Sequence, residues 1–100
     1  MAAFTTRVEL HDADVSDYDK LHKAMEAQGF SRQIKADDGI VYHLPMAEYD
    51  LGGNYTRAQV LEKAKQAAGE VGKNYAILVT ESKGRTWNGL KKVVQRLRRM

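Results

Sequence analysis

Phe4, Thr6, Val8 and Leu10 alternate with Thr5, Arg7, Glu9 and His11, the period of two that gives a strand one apolar and one polar face. Asp12-Ala13-Asp14 turns the chain, and Ser16 with Asp19 three residues on predicts a capping box at a helix start. Tyr18, Leu21, Ala24 and Met25 form the buried stripe of that helix, and Gly29 stands where a left-handed closing residue is expected. Phe30 to Lys35 reads as a short strand and Asp37-Asp38-Gly39 as a hairpin turn. Ile40, Tyr42 and Leu44 begin the next strand. Pro45, lacking an N–H, marks a strand end, bulge or edge before Met46 to Leu51 resumes pairing.

After Gly52-Gly53-Asn54, Thr56 and Gln59 make a second capping box, with Tyr55 placed to staple onto Val60. Val60, Leu61, Ala64, Ala67, Ala68 and Val71 give a stripe with small residues at its centre, and Gly72 closes the helix. Tyr75 to Thr80 is a nearly all-apolar strand, and Glu81 to Gly89 a polar loop. Leu90, Val93, Val94 and Leu97 recur at helical spacing and predict a terminal helix. The order is βαββαβ. Right-handed crossovers make this an α+β, ferredoxin-like antiparallel sheet with two helices on one face, plus a basic C-terminal helix. The first and third strands then pair, placing His43 and Arg7 on neighbouring strands.

One hundred residues bound the chain to a single domain, a core over 1–82 and an extension over 83–100. There is no cysteine, which excludes a disulfide framework, a thiolate metal site and a cysteine nucleophile. The longest apolar run, Tyr75 to Val79, is too short to span a bilayer, and the strand pattern starts at Phe4. No membrane insertion and a cytoplasmic location are expected. The net charge of +3 hides an asymmetry: Lys83, Arg85, Lys91, Lys92, Arg96, Arg98 and Arg99 are basic with no acidic residue among them. The rest of the chain holds nine basic against thirteen acidic residues, so a mildly acidic body carries a cationic tail.

The segment from Gly29-Phe30-Ser31 through Asp37-Asp38-Gly39 to Tyr49 resembles the GhoS family, the endoribonuclease antitoxins of type V toxin–antitoxin systems. The likeness runs from Phe4 to about Ser82. It implies a ferredoxin-like fold related to the Cas2 nucleases, and metal-independent cleavage of a toxin messenger RNA. The family implicates an arginine of the first helix in cleavage. The corresponding position here falls at or near His22, flanked by Lys20 and Lys23. Histidine does acid–base work that arginine does not, so the resemblance supports fold and RNA handling more than catalysis.

Metal-independent RNA cleavage needs a base, an acid and a cation for the phosphorane. His22 and His43 are the acid–base candidates, His11 is a further histidine, and Arg7 and Arg32 are the cations; equally, all are solvated surface residues. His11, Asp12 and Asp14 offer either oxygen ligands for a Cas2-like metal nuclease or simply a turn and a helix cap. No metal or cofactor motif stands out. In Lys83-Gly84-Arg85-Thr86-Trp87-Asn88-Gly89, Arg85 suits phosphate and Trp87 suits stacking on a base. The alternative is that Trp87 plugs a sheet edge or docks the terminal helix. Lys91, Lys92, Arg96, Arg98 and Arg99 suit an RNA backbone, an acidic protein groove or an anionic membrane surface, or else a solvated helix face. The expectation is an antitoxin-like binder of single-stranded RNA or messenger RNA, with endoribonuclease activity as its extension. Its rivals are a non-enzymatic protein-binding or homodimerising module and the metal nuclease.

Overall fold

A computed structural model describes residues 2–94. The elements run β1 (Ala2–Leu10), α1 (Val15–Ala27), β2 (Gln33–Lys35), β3 (Val41–His43), β4 (Glu48–Gly53), α2 (Arg57–Gly69) and β5 (Tyr75–Ser82). The main sheet has the order β4-β1-β5, with β1 antiparallel to both neighbours. Its period-two pattern sends Phe4, Thr6, Val8 and Leu10 into the interior. Thr5, Arg7 and Glu9 lie on the opposite, open face. The helices cover the first face, where Leu21, Ala24 and Met25 of α1 and Val60, Ala64, Ala67 and Ala68 of α2 join one core. The alanines of α2 let its backbone approach the sheet closely.

Two parts of the expected fold are corrected. The stretches Ile40 to Leu44 and Met46 to Leu51, taken together as one element of the βαββαβ order, are two strands. Between them Pro45 offers no donor, its carbonyl accepts the Glu48 N–H at 3.1 Å, and Ala47 adopts φ 65, the left-handed region. The order is therefore βαβββαβ. β2 and β3 form a separate hairpin, tied to the main sheet among the described residues by one bridge, between Ser31 and Asp50.

The second correction concerns the tail. Leu90 to Val94 are not helical, and Lys92 makes a β-bridge with Tyr42. The His43 N–H donates to the Lys91 carbonyl at 2.8 Å and the Val93 N–H to the Val41 carbonyl at 2.9 Å, so this segment adds antiparallel to β3. The open hairpin edge supplies partners that outweigh the weak helix preference of two adjacent valines. Leu97, Arg96, Arg98 and Arg99 lie outside the described residues. No helix among the described residues is long and apolar enough to cross a membrane.

The capping box of α1 also sits two residues earlier than expected. Asp14 Oδ1 accepts the Asp17 N–H at 3.0 Å, and Asp17 Oδ2 accepts the Asp14 N–H at 3.0 Å. Gly29, at φ 95, closes α1 as its position suggested. α2 ends at Gly69, short of Gly72, and Leu61 stays at the edge of exposure. Tyr55 is likewise exposed, with Lys63 Nζ 5.5 Å from its ring centroid.

The Thr56–Gln59 box is present as read, with bonds of 2.8 and 3.1 Å. Thr56→Ala is therefore expected to cost about 1 kcal/mol in urea unfolding. Thr6 gives the opposite prediction. It is wholly buried and its hydroxyl has no hydrogen-bond partner among the described residues. Thr6→Val keeps the shape and removes the stranded hydroxyl, so the same measurement should show roughly 1 kcal/mol of added stability.

Candidate nucleic-acid interface

From Ser82 the chain crosses to the hairpin as a strap that ends in the added strand. Arg85 pins it to the open face of the sheet. Its Nη1 donates to Asp50 Oδ1 at 2.7 Å and to Thr5 Oγ1 at 3.2 Å, and Thr5 and Asp50 are register partners on β1 and β4. Only about a quarter of each charged side chain is exposed (26% for both), so this pair is better shielded than a surface salt bridge. Arg85, expected on phosphate, is thus held by a carboxylate. Further along, Trp87 meets Tyr42 of β3 edge-on, with ring centroids 5.3 Å apart and planes at 68°.

Between strap and hairpin lies an open groove of about 450 Å³. Ile34, Lys35, Asp37 and Tyr42 line the hairpin side, and Lys83 and Trp87 line the strap side. Ile34 pairs with Tyr42 across the hairpin, and Tyr42 pairs with Lys92 across the added strand. Paired residues share a face, so Ile34, Tyr42 and Lys92 form one row beside the groove. Lys91 falls on the other face of that ribbon.

The other candidate residues are dispersed. Arg7 is on the open face, in register with Glu48 and Leu78 rather than beside His43. His43 is on the hairpin, exposed and opposite Gln33. His22 lies on the helix side of the sheet, 7% exposed. Of the four acid–base and cationic candidates, only Arg32 is close enough to His22 for its charge to act on the ring. His11 contacts Glu9 at 3.3 Å, and Asp14, engaged in the cap, has its carboxyl held below the usual range first by the Ser16 hydroxyl.

Tyr42, Lys35 and Tyr49 carry no site motif in the sequence, and Asp37 is marked there only as part of the Asp37-Asp38-Gly39 turn. Tyr42 and Trp87 meet only because the tail returns to the hairpin. The one available signal was the alternation of Ile40, Tyr42 and Leu44.

Tyr49 explains why His22 is buried. Its hydroxyl lies 2.7 Å from His22 Nδ1, with the rings tilted at 5.9 Å, and Phe30 packs edge-on against Tyr49 at 6.3 Å. Burial pushes the Tyr49 hydroxyl above its ordinary range. Burial also lowers the His22 pKa from 6.5, helped by the Arg32 charge and opposed by Asp19 and Glu26. Burial therefore favours the neutral ring over the charged one in the folded state.

The unfolded chain binds a proton at His22 more readily than the folded chain does. Stability should therefore fall as pH drops below about 6.5, down to the lowered folded value. His22→Gln should flatten that part of the stability–pH curve. Tyr49→Phe, which strands a buried ring nitrogen, should cost roughly 1–3 kcal/mol at neutral pH by chemical denaturation.

Compared with models of known families, with curated proteins and with solved structures, the chain matches none. The geometry of the groove and its charges is what bears on function.

Proposed function

We propose that this chain binds single-stranded RNA in the groove between the β2–β3 hairpin and the strap. The observation that carries the reading is the Tyr42–Trp87 pair on an open groove flanked by Lys35 and Lys83, with Lys92 in the adjoining row. Aromatic faces accept any base by stacking, while nearby ammonium groups track the phosphates. The groove is partly open to solvent rather than closed around a small molecule. The GhoS resemblance of residues 29–49 supports the same ligand class and makes a toxin messenger RNA the candidate target.

Cleavage fits the geometry less well than binding. A general base must reach the 2′-hydroxyl, and His22 is enclosed against Tyr49 while His43 and Arg7 stand on different sheets. Incubation of the purified chain with total RNA, with and without EDTA, followed by mapping of new ends, tests for cutting and for its metal dependence. Binding without new ends would make this an RNA-binding protein alone.

Stacking and phosphate contacts separate in their salt dependence. Trp87→Ala should weaken binding of a uridine hexamer by about 1–3 kcal/mol and leave the slope of log affinity against log salt nearly unchanged. Lys35→Gln and Lys83→Gln should each flatten that slope by about 0.7 if the lysine meets a phosphate. Unaltered affinity in the Trp87 variant would rule out the groove as the binding site.

A further inference from the structure

Two aspartates stand at the tip of the hairpin, and the turn uses one of them. Asp38 Oδ1 accepts the Ile40 N–H at 2.9 Å, a local bond that shapes the turn. Asp37 lines the groove, is exposed, and has no side-chain hydrogen bond or ion pair with any of the described residues. Asp37 therefore borders a groove whose aromatic pair is Tyr42 and Trp87 and whose cations are Lys35 and Lys83. In a groove that only held phosphates, such a group would repel the ligand. It becomes favourable where it meets a base.

When a base stacks on an aromatic ring, its Watson–Crick edge is left for hydrogen bonding. An ionised carboxylate accepts through two oxygens and donates nothing. Guanine alone among the four RNA bases places two donors side by side on that edge, the N1 imino and N2 amino groups, which match both oxygens. Adenine and cytosine set one amino donor beside a ring-nitrogen acceptor. Uracil sets one imino donor between two carbonyls. Each of these three turns an acceptor toward the carboxylate.

We propose that Asp37 makes the groove selective for guanine within single-stranded RNA. This inference rests on the RNA-binding reading above and adds to it the base that the site recognises. Asn fits the same turn conformation, so Asp37→Asn leaves the hairpin intact while replacing one acceptor oxygen by a donor.

The test is fluorescence anisotropy of two labelled hexamers, one all uridine and one with a single central guanosine, titrated with wild type and Asp37→Asn. Wild type should bind the guanosine hexamer roughly fivefold to a hundredfold more tightly. Asp37→Asn should lose most of that ratio and bind the uridine hexamer at least as well as wild type, since a repulsive charge is gone. Equal affinity for the two hexamers in wild type, or an unchanged ratio in the variant, overturns the guanine assignment while leaving RNA binding in place. Binding of neither hexamer by wild type overturns the RNA reading, and the assignment with it.

Discussion

Pro45 has no amide hydrogen, and the chain around it cannot continue a ladder. The carbonyl of Pro45 turns back onto the Glu48 N–H, Ala47 takes a left-handed conformation, and the strand that would have flanked β1 throughout is cut in two. Its second half, β4, keeps the place beside β1. Its first half, β3, leaves with β2 as a hairpin whose outer edge needs partners. The tail supplies them through Lys91 and Val93, and to reach that edge the strap leaves β5 and pins itself across the open face by Arg85. The groove is the space this detour leaves, so its existence traces to one imino acid.

The molecule thus has two layers of unequal strength. The core between sheet and helices holds Phe4, Leu21, Met25, Tyr49 and Val60, all at or below 1% exposure, and among the described residues contains none beyond Val79. Among the described residues, the second layer is held by the Ser31–Asp50 bridge, two backbone bonds to the added strand, the Arg85 bonds to Asp50 and Thr5, and one aromatic pair. Such a layer opens locally at less cost than the core, as binding surfaces commonly do. The His22–Tyr49 bond belongs to the first layer, which is why a histidine on the first helix serves packing there.

Local chemistry was legible in the sequence wherever a few neighbouring residues decide the structure. The alternation of Phe4 to His11 gives β1, Asp37-Asp38-Gly39 gives the hairpin turn, and Thr56 with Gln59 gives the start of α2. Pro45 was visible as a strand end, bulge or edge, but choosing among these depends on whether β1 pairs before or after it. The tail misled for a related reason. Leu90, Val93 and Val94 have helical spacing, yet an unpaired β3 edge exists only after the hairpin has left the sheet. Arg85 with Asp50 and His22 with Tyr49 are pairings between distant segments, and neither spacing nor composition encodes them. Asp14 outcompetes Ser16 as the cap because its carboxylate and that of Asp17 satisfy each other's backbone donors.

The central claim is that the groove between hairpin and strap is where RNA sits. Backbone hydrogen exchange with and without a saturating single-stranded hexamer tests it directly. The account predicts added protection confined to residues 34–42 and 82–93, with α2 and the exposed positions of α1 unchanged. Protection centred on Lys20, His22 and Lys23 with the groove unaffected would contradict it.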